Sequence, residues 1–229
     1  ATGCPITTVP TTTDGVTCGP NGAILTATAG TPQNYLIWAD SSVTIVGQGD
    51  SIIAPAYMYD YTFTAHEAFP ATSAPTLNGP PSATITTGGF GNFSNGMYFS
   101  AQSFFRWDSV TVTSNGDVSG FIVIRDSNPS ENPNARILQF TPFSVTGAGT
   151  HTIPVDLTVA PGKYYANVAY NPGITGALFR STAGASYPYT VANVMSVDSA
   201  WLGVGSTGNL ARVYYFFDWQ VAEVCVSAG

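Results

Sequence analysis

Hydrophobic and polar residues alternate with a period of two along most of this chain. The clearest case is 59–65, where aromatic and polar side chains exchange places at each step. Similar stretches recur at 23–28, 104–112 and 151–159, with Gly and Pro between them. Such alternation is typical of strands with one buried face, and a spacing of about 10 residues between turns is typical of a β-sandwich. The pattern predicts an all-β protein with almost no helix.

One segment interrupts this alternation and divides the chain. Residues 71–90 are rich in Pro, Thr and Gly and hold few bulky hydrophobic residues, a composition typical of linkers. The strands before it, within 1–70, suffice for a small sandwich that follows an extended, Thr- and Pro-rich lead-in. The more numerous strands of 91–222 predict a larger, jelly-roll-like β-sandwich.

Composition restricts the partners that this chain can have. Only 8% of its 229 residues are charged and the formal net charge is −7, without any basic cluster. Nucleic acids and anionic membranes attract concentrated Lys and Arg, so neither is an expected partner. No apolar run approaches the roughly 20 residues that a membrane span requires, so membrane insertion is not expected. Low charge together with abundant Thr and Asn favours a secreted, extracellular protein.

Two sets of segments resemble one known family. Segments 17–27, 35–40 and 59–67, with Cys-Gly-Pro-Asn-Gly followed by a Thr/Leu/Ala strand and a Trp-containing strand, resemble the Ig-like repeat of secreted Bacteroidetes surface proteins. Much of 92–224 resembles a β-sandwich module found beside those repeats in adhesin-like proteins exported by type IX secretion. The resemblance implies an Ig-like sandwich over 1–70, with 222–229 as a candidate completion, beside the jelly-roll-like module.

The function that this resemblance implies is non-catalytic. It predicts a structural or adhesive module of an extracellular cell-surface protein or fibre, whose partners are neighbouring copies or modules in a filament. The alternative is a carbohydrate-binding module of a secreted glycan-degrading protein. Exposed Trp and Tyr rings stack on sugars, and the candidates for such a site are Trp201, Tyr187 and Tyr189. The aromatic run 214–219 is interpreted as a core strand.

Three cysteines imply one disulfide and one remaining thiol in an extracellular protein. In the resembling arrays, a Cys directly after the second sandwich belongs to a strand that completes the Ig-like unit, and Cys225 holds that place. The resemblance therefore implies a Cys18–Cys225 disulfide, with the large sandwich inserted between the ends of the small one. Cys4 is then free to bond a neighbouring subunit. A Cys4–Cys18 pair is the competing arrangement.

One loop is a candidate metal site. Residues 126–134 concentrate oxygen-bearing side chains, and calcium takes six to eight oxygen ligands. Asp126, Asn128 and Glu131 are the candidate ligands, although the loop lacks EF-hand spacing and its residue types also form ordinary turns. No other cofactor is expected.

No residues are predicted to be catalytic, and the chain is not expected to be an enzyme. His66 and Glu67 are the one adjacent His–carboxylate pair, but neighbouring residues of a strand point to opposite faces. The carboxylates Asp60, Asp108, Asp156 and Asp218 are scattered, and a glycosidase pair hidden among them is the remaining enzymatic alternative.

Two serines are candidate modification sites. Asp108-Ser109-Val110 and Asp198-Ser199-Ala200 resemble the Asp-Ser/Thr-aliphatic signal for O-glycosylation of exported Bacteroidetes proteins. The resemblance therefore implies a glycoprotein modified at Ser109, Ser199 or both.

Overall fold

The computed structural model describes residues 9–13, 22–31, 34–42, 44–54, 62–70, 75–201 and 211–227. These residues form strands in three antiparallel sheets and contain no helix, as the period-two alternation predicts. The fold class is all-β, consistent with a β-sandwich. Within the described ranges, no helix is long and apolar enough to cross a membrane.

The chain divides into two compact units. Ala1–Ser73 and Glu223–Gly229 form the smaller unit, and Ala74–Ala222 forms the larger one. Both ends of the chain thus belong to the smaller unit, and the larger unit is an insertion between them.

The smaller unit contains a three-stranded sheet and part of a second sheet. Its strands are β1 (Thr11–Thr13), β2 (Ala23–Thr28), β3 (Tyr35–Asp40), β4 (Ile45–Gln48), β5 (Ser51–Ala54) and β6 (Phe63–Pro70). The order β1-β2-β5 makes one sheet, and β4-β3-β6 continues onto the last residues of β18 (Phe217–Val226). Leu36, Trp38 and Ala65 form the centre of its core.

The larger unit has a six-stranded sheet of order β12-β11-β14-β9-β17-β16. A second set of strands pairs as β13-β10-β15-β8, and β7 pairs with the first part of β18. Its strands are β7 (Thr76–Asn78), β8 (Gly88–Gly91), β9 (Gly96–Ala101), β10 (Phe105–Asn115), β11 (Val118–Arg125), β12 (Ile137–Val145), β13 (Ala148–Val159), β14 (Gly162–Tyr170), β15 (Leu178–Ser181), β16 (Tyr189–Val191) and β17 (Met195–Ala200).

Aromatic rings form the centre of the larger unit's core. The indoles of Trp107 and Trp219 stack almost in parallel, with ring centroids 3.9 Å apart and an interplanar angle of 8°. Phe99 meets Trp219 edge-on, and Phe216 meets Trp107 edge-on. Each indole N–H has an acceptor, because Trp107 donates to the Ser109 carbonyl and Trp219 donates to the Phe216 carbonyl.

The aromatic run 214–219 is buried, as its interpretation as core predicts. It is not one regular strand, however, because Tyr215 and Asp218 have positive φ angles of 69° and 46°. A residue in the left-handed region departs from the extended backbone on which regular alternation depends. Consecutive rings at 214–217 are therefore all buried, and β18 begins only at Phe217.

Residues 75–90, the described part of the segment that composition predicts to be a linker, contain strands and a core residue. Thr76–Asn78 forms β7, Gly88–Gly91 forms β8, and Ile85 is part of the larger unit's core. Gly88 explains why β8 is rich in glycine, since a Cβ at this position would lie 2.0 Å from the Arg180 carbonyl oxygen. A Gly-rich sequence here allows close strand pairing rather than a free connection.

We predict that Trp107→Ala lowers the free energy of unfolding by about 3–5 kcal/mol, because it removes a large core side chain and leaves a cavity. Phe140→Ala is the matched control, since Phe140 is 59% exposed in the same unit; it should cost about 1 kcal/mol or less. Guanidinium unfolding followed by circular dichroism measures both. Equal effects of the two substitutions would contradict the central role of the stack.

Candidate binding groove

The larger unit has a groove of about 320 Å³ on the outer side of its second set of strands. Its described lining consists of hydroxyl-bearing and apolar side chains in equal number. These are Ser82, Ile85, Thr86, Phe90, Thr113, Thr150, Phe179 and Phe217.

Strand pairing brings the groove's side chains together. Thr113 of β10 is directly opposite Thr150 of β13, and their hydroxyl oxygens lie 3.1 Å apart. Val112, the neighbour of Thr113 in β10, is fully buried in the core. Because side chains alternate along a strand, the Thr113 and Thr150 hydroxyls lie on the sheet face opposite the one that Val112 occupies.

Three phenylalanines form the apolar side of the groove. Phe90 of β8 is paired with Phe179 of β15, and their rings meet edge-on with centroids 5.7 Å apart. Phe217 lies behind Phe179, with centroids 6.0 Å apart. Phe90 is 46% exposed, so its ring is accessible to a ligand.

Asp218 fixes the loop that carries three of the groove's lining residues. Its carboxylate accepts hydrogen bonds from the backbone N–H and the hydroxyl of Ser82, and its own N–H donates to the Pro80 carbonyl. Asp218, which has a positive φ, thus holds the loop that carries Ser82, Ile85 and Thr86. Of the scattered carboxylates, this one has a structural role.

The chemistry available in the groove is binding chemistry. Its described lining offers aromatic and aliphatic surface together with hydroxyls that both donate and accept hydrogen bonds. None of these lining side chains is an acid or base that titrates near neutral pH. The sequence indicates none of them as site residues.

The aromatic residues predicted to stack on sugars lie elsewhere. Trp201 is only 6% exposed, and its indole N–H donates to Glu131 Oε1 over 2.9 Å. Tyr187 and Tyr189 contact one another edge-on, with centroids 5.2 Å apart, and the Tyr187 hydroxyl donates to the Arg212 carbonyl. Burial raises the pKa of Tyr187 above its usual range. Trp201 therefore anchors a loop and does not present an open ring face.

The predicted calcium ligands are engaged by protein donors. Asp126 accepts hydrogen bonds from the backbone and side chain of Arg136, and Asn128 Oδ1 accepts one from the Ser130 N–H. Burial raises the pKa of Asp126, but the hydrogen bonds from Arg136 and Ser127 outweigh it and lower that pKa overall. Among the described residues, no three His, Cys, Asp or Glu side chains are grouped to hold a metal. The loop is a hydrogen-bonded turn rather than an open set of oxygen ligands.

Glu131 joins this loop to the six-stranded sheet. Besides Trp201, its carboxylate accepts a 2.5 Å hydrogen bond from the hydroxyl of Tyr98 in β9. Burial and this hydrogen bond raise the pKa of Tyr98 to about 12. Glu131, predicted as a metal ligand, and Trp201, predicted as a sugar platform, are thus hydrogen-bonded to one another.

The two candidate glycosylation sites share a local geometry. Ser109 follows the point in β10 where the pairing register with β13 shifts, and Ser199 follows a similar shift between β17 and β9. Both serines are half-buried. Asp108, in the first of these motifs, pairs with Arg106.

The histidines have separate structural contacts. His66 Nδ1 lies 2.9 Å from the Ser227 carbonyl oxygen, whereas the buried Glu67 carboxylate accepts a hydrogen bond from the Asn34 amide. His66 and Glu67 therefore address opposite faces of β6, as alternation predicts. His151 Nε2 lies 3.1 Å from the Ser114 hydroxyl, which donates to the Gly147 carbonyl.

The cysteine pairing stays a prediction. Cys225 is buried in β18, opposite Phe69 of β6. Cys4, Cys18 and Asp60 lie outside the described residues.

Comparison of the chain with protein-family models, with curated proteins and with solved structures finds no match. The fold and the site geometry therefore carry the functional argument, and the Bacteroidetes resemblance stays a prediction.

We predict that Glu131→Gln lowers the pKa of Tyr98 from about 12 toward its ordinary value of 10.0, because the carboxylate that disfavours the phenolate is removed. The shift should be incomplete, since burial is the larger cause. Phenolate absorbance during a pH titration measures it, with the Tyr98→Phe trace subtracted.

Glu223→Gln, at an exposed position of the smaller unit, is the control and should leave the titration unchanged. The pKa of Tyr98 is higher in the folded protein than in the unfolded chain. Its contribution to the free energy of unfolding is therefore fully present below pH 10.0 and is lost as the pH rises toward about 12. Superimposable curves for wild type and Glu131→Gln would contradict the assignment.

Proposed function

We propose that this chain is a non-catalytic, adhesive module of an extracellular cell-surface protein. The observation that supports the proposal is the groove of the larger unit, whose described lining combines exposed aromatic surface with hydroxyls and has no group suited to acid–base catalysis. General acid–base catalysis requires a positioned titratable side chain, whereas recognition requires shape, apolar surface and hydrogen-bonding groups.

Composition supports the extracellular part of this proposal. With 8% charged residues, the chain depends on Thr, Ser, Asn and Gly for its contact with water. The resemblance to Bacteroidetes surface repeats supports the same environment, and with it export by type IX secretion and O-glycosylation at Ser109 or Ser199.

Assembly into a chain of neighbouring copies is the second part of the proposal. A Cys18–Cys225 disulfide would join the two segments of the smaller unit, Ala1–Ser73 and Glu223–Gly229, and leave Cys4 for a bond to a neighbour. In the chain-entropy model, a loop of about 200 residues closed in this way contributes roughly 4–5 kcal/mol to stability.

We predict that the purified chain is retained on at least one biological surface and has no hydrolytic activity. Fluorescently labelled protein is incubated with immobilised polysaccharides, mucin, extracellular-matrix protein and whole bacterial cells, and retention is measured against labelled serum albumin. Chromogenic glycosides and peptides are assayed in parallel. Turnover of any of them, or retention no greater than that of albumin on every surface, would overturn the proposed function.

We predict that peptide mapping under non-reducing conditions recovers a peptide linking Cys18 to Cys225. Cys4 should be recovered as a thiol in monomer and as a Cys4–Cys4 link or mixed disulfide in assembled material. A peptide joining Cys4 to Cys18 within one chain would contradict both the pairing and the intermolecular bond.

A further inference from the structure

We propose that the groove lined by Ser82, Thr86, Phe90, Thr113, Thr150 and Phe179 binds a neutral saccharide. This inference rests on the proposed function, because it names the ligand class of the groove that supports that function.

The lining matches the two kinds of surface that a sugar ring presents. A pyranose exposes C–H groups on its faces and hydroxyls around its edge. The rings of Phe90 and Phe179 offer apolar surface to the first, while the hydroxyls of Thr113, Thr150 and Thr86 offer donors and acceptors to the second. The 46% exposure of Phe90 leaves a ring face or edge open for this contact.

The same lining disfavours other ligand classes. The Thr113 and Thr150 hydroxyls share one hydrogen bond, and a hydrocarbon chain would take their remaining donor and acceptor capacity out of water without replacing it, which costs free energy. An anionic ligand such as a sialylated or sulfated sugar would lack a cation, because none of the described lining residues is Lys, Arg or His. Neutral, polyhydroxylated ligands meet neither penalty.

Size favours a short piece of glycan. The groove's volume of about 320 Å³ lies at the lower end of the range typical of small-molecule sites, about 300–1,000 Å³. Such a volume accepts the end of a glycan or a short internal portion of one.

The groove is also held in shape before any ligand binds. Thr113 and Thr150 are placed by consecutive β10–β13 pairs, and Phe90 and Phe179 by the β8–β15 pair. Asp218 fixes Ser82 through two hydrogen bonds. A preformed site loses less conformational entropy on binding, which matters for a ligand with few contacts.

The experiment applies the full chain to an array of neutral, sialylated and sulfated glycans, followed by calorimetry with the strongest ligand. Binding to neutral glycans and not to their charged counterparts is expected. Phe90→Ala should weaken binding about tenfold or more, and Thr150→Val, which keeps the side-chain shape, about three- to tenfold. Phe140→Ala is the control, because Phe140 is an exposed phenylalanine of β12 outside the groove, and it should change binding less than about twofold.

Far-ultraviolet circular dichroism verifies that each variant is folded. If Phe90→Ala does not fold, the Thr150→Val variant still tests the proposal. The proposal is overturned if no neutral glycan binds, if charged glycans bind better, if a fatty acid or alkyl detergent binds more tightly than any saccharide, or if both groove variants bind like wild type. Retention on a surface that is insensitive to these variants would overturn the saccharide proposal and leave the adhesive function standing. Loss of retention on every surface, or substrate turnover, would instead remove the proposed function.

Discussion

The parallel stack of Trp107 and Trp219 is the constraint on which the larger unit depends. It places an indole of β10 against an indole of β18 at the centre of the core, with Phe99 and Phe216 around them. Such large side chains leave little freedom in the spacing of the strands that carry them, because cores pack as densely as organic crystals. The position of β10 relative to β18 is therefore fixed within this unit.

The groove follows from this constraint. When Val112 is committed to the core, alternation sends Thr113 outward, beside the partner strand's Thr150. The register shift between Trp107 and Ser109 allows Trp107 to face the core in the same strand. When Trp219 is committed to the core, Asp218 is free to hold the loop that carries Ser82. The inner face of these strands thus supplies stability, and its geometry determines which hydroxyls and rings are placed on the outer face.

Local alternation made much of the fold predictable. Residues 23–28 form β2 as predicted, and the core position of the 214–219 rings is confirmed. Alternation does not reveal which neighbours cover a side chain, so Trp201 looks like a ligand platform in the sequence but is buried beside Glu131. Composition was a poor guide at 75–90, because glycine-rich sequences occur both in flexible linkers and in closely paired strands. Gly88 illustrates the second use, since its carbonyl neighbour across the pair excludes a Cβ.

Low charge connects the fold to its proposed role. Lys or Glu at the outward positions of these strands would cover a shallow groove with long side chains and add fixed charge to it. Here the outward strand positions carry Thr113 and Thr150, and the neighbouring loop carries Thr86. All three are short, neutral and able to both donate and accept hydrogen bonds. A surface of this kind gains little from ionic attraction, so its selectivity must come from shape and hydrogen-bond geometry. Neutral polyhydroxylated ligands are recognised by those two properties, and their binding to such a surface should depend only weakly on salt.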